Sequence, residues 1–297
     1  MKKILTNIVF VIIFLTGLSL LLYPFVSNEW NTYRQSKLIT GYDQVIAEKN
    51  EESSIDYTAE WERAAAYNNA LLPHVLPDVF AYAAFDEEPD AEYMACLNLA
   101  GDGMMGYIEI PRINIKLPIY HTTDTEVLEK AAGHLEGSSL PIGGENTHTV
   151  ISAHRGLPSA ALFTDLDKLE EGDHFLISVL DETLCYEVDR ITVVDPSETD
   201  ALAVEDGKDY ATLLTCTPYG VNSHRLLVRG HRVPYEEEVV AKVQEEKKNT
   251  ESSLYTNYLL WVIVGLFVTA LFILILVTRE RILRKKMKNR RKNDIVQ

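Results

Sequence analysis

The chain has 297 residues, 46% of them hydrophobic, which is ample for a buried core. Its formal charge of -16 excludes a partner gripped through nucleic-acid phosphates, since that binding depends on Lys and Arg displacing counterions. The acid is concentrated in the middle: Lys2 and Lys3 open the chain, and the tail from Arg279 to Gln297 carries nine Lys/Arg against Glu280 and Asp294.

In chain order, the first element is the apolar run Ile8 to Val26, long enough to cross a ~30 Å hydrocarbon core as a helix. Retained anchor and cleaved signal peptide are both open readings of residues 1–27. The run exceeds the usual length of a signal core, and Tyr23-Pro24-Phe25-Val26 offers no small-x-small cleavage site. Residues 28–102 form a helical region in which Trp61, Ala64, Ala65, Leu71 and Leu72 recur near helical spacing. The charged stretch Glu48 to Ser54 reads as a break between two helices, and Pro73 and Pro77 end the pattern.

After Gly101-Asp102-Gly103 the texture changes to short β-type runs cut by Gly, Pro, Asn and Asp. These runs are Tyr107 to Ile110, Ile113 to Leu117, Thr149 to Ser152, His174 to Val179, Cys185 to Val194, Ala211 to Thr215 and Arg225 to Arg229. With one helical segment near Thr125 to Ala132, they predict a closed or nearly closed β-barrel over 103–235. Residues 236–258 are Glu/Lys-rich and read as a solvated helix or tether. Leu259 to Val277 is a second uncharged run, which makes 259–278 a predicted transmembrane helix. The basic tail 279–297 then lies in the cytoplasm and against anionic lipid, by the positive-inside rule, and residues 27 to 258 lie outside the cell.

Three cysteines without a CxxC pair make a disulfide scaffold a poor reading and leave at least one thiol free. No zinc-ligand spacing such as HExxH accompanies them, so no metal or cofactor is expected. Cys216 closes the run Ala211 to Thr215 just before Pro218 and Gly220 turn the chain, a position where a nucleophilic thiol is held by the sheet yet accessible. Cys185 lies mid-strand and reads as structural, as does Cys96. Arg225 follows Cys216 across the loop Thr217 to His224; an antiparallel hairpin sets its guanidinium beside the thiol, where it could hold a carbonyl or an oxyanion. A leaving amine needs a general acid. His154, at another strand end, leads the candidates, with His121, His134, His148, His224 and His231 as rivals.

Thr212-Leu213-Leu214-Thr215-Cys216 resembles the TLxTC signature of sortases, and Ser152-Ala153-His154-Arg155-Gly156 is similar to the segment around their catalytic histidine. The likeness extends through Gly106 to Pro111, Leu117 to His121, Gly133 to Gly137, Leu162 to Leu166 and Thr217 to Leu226, in the order found in class C, pilin-polymerising sortases. The resemblance implies a mainly β fold, an eight-stranded sortase barrel with N-terminal helices, and a cofactor-free site of Cys216, His154 and Arg225. It implies that Cys216 cleaves an LPxTG-type sorting signal of a surface protein or pilin between Thr and Gly. The acyl group would pass to a pilin lysine or a cell-wall precursor amine. Class C members carry a lid with an Asp-Pro-aromatic motif; here Asp78-Val79-Phe80, within 76–85, keeps the acid and the ring but lacks the Pro. A cysteine hydrolase and a non-catalytic binding module are the rival readings.

Overall fold

Short strands of β-branched and aromatic residues cannot bury a face singly, so they pair, and here eight of them close on themselves in the order β1-β2-β3-β4-β7-β8-β6-β5. This computed structural model describes residues 2–52, 57–71 and 89–296. The strands are β1 (Met104–Ile110), β2 (Ile115–His121), β3 (Ala132–His134), β4 (Thr147–Ser152), β5 (His174–Val179), β6 (Glu182–Val194), β7 (Asp209–Thr217) and β8 (His224–Val233). The barrel is mixed. β2 runs parallel to β3 and β4 parallel to β7, while every other pair is antiparallel.

Side-chain alternation splits β4, β7 and β8 between two apolar clusters. Ile151, Ala153, Ala211, Leu213, Leu226 and Val228 point into the barrel and join the main core with Phe163 and Phe175. Their neighbours Val150, Leu214 and Leu227 face outward and pack with Leu128, Leu135 and Leu202 as a second cluster. Each of these leucines is nearly fully buried, which is worth roughly 2 kcal/mol apiece. The outer face of β4-β7-β8 is therefore a second packed surface, covered by the segment around helix α4 (Thr125–Leu128) and by the loop after β6.

The predicted β-runs recur with shifted ends. Pro111–Ile113 forms a 3-10 turn instead of opening β2, because the proline fixes φ and gives no ladder N–H. The expected helical segment Thr125 to Ala132 stops at Leu128, and Ala132 already belongs to β3, where it pairs with Ile119.

Among the described residues, α1 (Lys2–Glu52), α2 (Thr58–Ala70) and the short α3 (Ala91–Ala95) precede the barrel. The first 247 residues make one compact unit and Lys248–Gln297 a second. Ile39, Tyr42 and Ile46 of α1 are buried in the main core, and the Tyr42 hydroxyl donates to the Met105 carbonyl at 3.0 Å. The final helix α5 (Glu237–Val296) begins in the stretch expected as a solvated helix or tether, and there it buries Val243 against Leu176 and Cys185. Within Val9–Ala47, α1 is long and apolar enough to cross a membrane, the one such helix among the described residues. The expected second span, Leu259 to Val277, is helical, with several of its side chains outside the described residues. The expected lid residues Asp78 and Phe80 lie outside the described residues as well.

The seam that closes the barrel, β1 against β5, depends on Gly106. A Cβ there would stand 2.2 Å from the Ser178 carbonyl oxygen of the partner strand. Gly106→Ala is expected to destabilise the fold by about 3 kcal/mol or more, since the obstacle is backbone rather than a movable side chain. Gly41→Ala, whose Cβ meets nothing within 4 Å on α1, should be neutral or stabilising by up to about 1 kcal/mol. Thermal melting of both variants in detergent checks this, and equal melting midpoints would contradict it.

Candidate active site

Three adjacent strands end together, and each candidate residue stands at such an end. β7 and β8 pair antiparallel with Cys216 directly opposite Arg225. β4 and β7 pair parallel with Ser152 level with Leu214, and the Ala153 N–H continues the ladder to the Leu214 carbonyl at 3.3 Å. His154 is the next residue, just beyond the end of β4. Alternation then assigns the face: Val150 and Ser152, with Leu214 and Cys216, and with Leu227 and Arg225, lie on the outward side, and His154 follows two residues past the end of β4. The thiol and guanidinium thus stand past Leu214 and Leu227 of the outer cluster, on a pair of strand ends.

Cys216 is only 6% exposed and Arg225 8%, less than a strand-end position suggests, while His154 is half-buried. The Arg225 Nη1 donates to the carbonyls of Asn222 at 3.2 Å and His224 at 3.1 Å, which fixes the guanidinium against its own hairpin loop. Burial holds the His154 imidazole below its ordinary value, and the negative charge of Glu129 opposes that shift.

The rival groups are committed elsewhere. His121 contacts the carbonyls of Gly103, Tyr93 and Cys96. His134 is fully buried against Ser139 and Tyr93, and burial pushes it down to about 4. His148 lies between the Thr212 hydroxyl and the Ala203 carbonyl. His224 sits on β8 on the opposite face from Arg225, and His231 shares that face with Arg225 but lies six residues along the strand, opposite Tyr210 at the far end of the ladder. All three cysteines are free thiols, but burial pushes the Cys185 thiol up to about 12 and raises Cys96 too, so neither yields thiolate readily.

Arg155 is a residue to which the sequence reading gave no role. Its side chain is 8% exposed and ties three segments together. Its Nε donates to the Thr164 carbonyl at 3.1 Å, its Nη1 to the Thr217 hydroxyl at 3.1 Å, and its Nη2 pairs with Asp167. The residue after His154 is thus bonded to the residue after Cys216. The fork geometry needs arginine, since a lysine cannot reach three separated acceptors at fixed angles. Only the adjacency of Arg155 to His154 signalled this in the sequence; its partners are nonlocal. Gly156, at φ +79°, faces the Tyr219 ring, which would lie 3.0 Å from an added Cβ, so the loops after β4 and β7 meet there.

Comparison with known proteins places this arrangement. Residues 108–233 match the Sortase domain family model. The chain is 34% identical over 131 residues to Sortase D of Bacillus subtilis, an alignment covering 43% of this chain and 63% of that one. It is 24% identical over 234 residues to Sortase A of Bacillus anthracis, covering 78% of this chain and 96% of that one. Among solved structures, Sortase C of Streptococcus pneumoniae is similar at 44% identity and TM-score 0.58, over 67% of this chain and 97% of that one. Sortase C1 of Streptococcus agalactiae is similar at 46% identity and TM-score 0.58, over 67% of this chain and 100% of that one.

The charge state of His154 can be read directly. In a Cys216→Ala chain with labelled histidines, NMR titration should place its midpoint below about 6.5, so the ring is mostly neutral at pH 7. Glu129→Gln removes a charge that favours imidazolium and should move the midpoint lower still. A midpoint above 6.5, or an upward move in the variant, would contradict the burial assignment.

Proposed function

The chain belongs to the sortase family, and we propose that it is a membrane-anchored class C-type transpeptidase that cleaves an LPxTG-type sorting signal and joins its acyl group to a pilin lysine. The observation that carries the reading is the cross-strand pair Cys216–Arg225 beside the parallel end of β4, from which the chain runs directly into His154. The solved relative from Streptococcus pneumoniae is described in terms of pilin substrate specificity, which supports a pilin as substrate here.

In this mechanism the Cys216 thiolate attacks the threonine carbonyl of the signal and forms a tetrahedral oxyanion. Arg225, already oriented by the carbonyls of its loop, would donate N–H groups to that oxygen. His154 as imidazolium gives its proton to the departing glycine amine, and a thioester remains on Cys216. The neutral imidazole then takes a proton from the incoming ammonium group of the acceptor as nitrogen attacks the thioester, and the thiolate is regenerated. Burial of His154 leaves the imidazolium a minor form at neutral pH, which favours the second step over the first. A cell-wall precursor amine satisfies the same chemistry as lysine.

The anchoring half of the proposal rests on α1. Its apolar residues from Val9 to Val26 are largely exposed, and Trp30 and Tyr33 follow with exposures of 62% and 53%, as aromatic side chains do at headgroup depth. Leu259 to Val277 would be the second span, with the basic tail in the cytoplasm. Asp78 and Phe80 would lid the site.

An LPxTG-type peptide tests the chemistry. With mass analysis, the unaltered chain and Cys185→Ala should both form a thioacyl adduct, and Cys216→Ala should form none. Added amine should convert the adduct to an amide product. Hydrolysed peptide alone, with and without amine, would favour a cysteine hydrolase. No adduct in any chain would remove the enzymatic reading.

A further inference from the structure

The side of α1 that meets the barrel changes character along its length. Toward its C-terminal end the contacts are apolar, with Ile39, Tyr42 and Ile46 in the core. Just past the apolar run they become polar and are aimed at one loop. The Ser27 hydroxyl and the Asn31 amide both donate to the Ser159 carbonyl, at 3.0 and 2.6 Å, and the Asn28 side-chain oxygen accepts from the Ala161 N–H at 2.8 Å. One turn further, the Gln35 amide donates to the Lys130 carbonyl at 2.9 Å, beside the helix that covers the outer cluster. Positions 27, 28, 31 and 35 recur at helical spacing and share one stripe.

The loop they hold is the one that leaves His154. It folds back so that the Phe163 N–H returns to the His154 carbonyl at 3.1 Å, and Ser159–Ala161 form its far side. Arg155 fixes the near side to Thr217 and Thr164. An irregular loop on the barrel surface has no ladder to satisfy its backbone groups, and the anchor helix supplies the partners.

We propose that the turn Ser27–Asn31 of α1 is a positioning element of the active site: Asn28 and Asn31 clamp the loop that carries His154 and so set the imidazole against Cys216. This rests on the transpeptidase reading above for its kinetic consequence, though not for its structural one. Asn31 lies five residues beyond Val26, about 7.5 Å of helical rise. The same helix that enters the membrane thereby grips the loop of the catalytic histidine, and the orientation of the anchor is mechanically tied to the site.

The test uses the full chain in detergent micelles. Loss of both side-chain contacts in Asn28→Ala/Asn31→Ala should lower kcat on the sorting peptide roughly tenfold, with KM changed less than about twofold, because positioning is lost rather than binding. The ring NMR signals of His154 should shift or broaden in the same variant. Asn28→Asp, which keeps an acceptor for the Ala161 N–H, should restore most of the kcat lost in Asn28→Ala. A kcat within about twofold of the unaltered chain, or His154 signals that do not move, overturns the clamp. If the unaltered chain turns over no peptide, the transpeptidase reading fails, and the NMR comparison alone still decides the clamp.

Discussion

Strand register is the constraint on which the site depends. Cys216 meets Arg225 because β7 and β8 pair with those two residues opposite, and β4, whose end leads into His154, pairs parallel to β7 with Ser152 beside Leu214. A slip of one residue in either ladder would turn a candidate side chain from the outer face to the interior. Two apolar clusters on opposite sides of the same strands resist that slip. Leu213 and Val228 belong inside and Leu214 and Leu227 outside, and any slip would exchange both sets at once. The packing that stabilises the barrel wall also fixes which side chains share the outer face.

Around that register the fold adds two supports that differ in kind. Arg155 cross-links the loop after β4 to the end of β7 through hydrogen bonds at 3.1 Å, a contact inside the barrel domain. The helix α1 acts from outside, packing Ile39 and Tyr42 into the core and reaching Ser159 with polar side chains. Burial tunes the chemistry. It raises Cys96 and Cys185 away from thiolate and lowers His154, so the imidazole is held toward its neutral form.

The hairpin from Cys216 to Arg225 was legible in the sequence because it is local: two apolar runs joined by a Pro/Gly loop at fixed spacing. The strands of alternating or continuous apolar character were legible for the same reason. His154 was not separable from its rivals by spacing, since its place beside Cys216 comes from a parallel pairing between strands some sixty residues apart, as in Ser152 with Leu214. Family likeness supplied what local pattern could not. The three-residue β3 was not among the expected strands, because too few residues carry its alternation, and only its first residue, Ala132, fell in the expected helical segment. Arg155, Asn28 and Asn31 stayed silent because their partners are backbone groups and hydroxyls far along the chain, which leave no periodic trace.

The convergence of three groups on one face is tested most directly by an experimental structure of the chain carrying a peptidyl sorting-signal mimic on Cys216. The expected result has the His154 imidazole and the Arg225 guanidinium on the same side of the adduct, each within hydrogen-bond or single-water reach of the peptide. An adduct whose carbonyl and leaving-group position face neither residue would contradict the site.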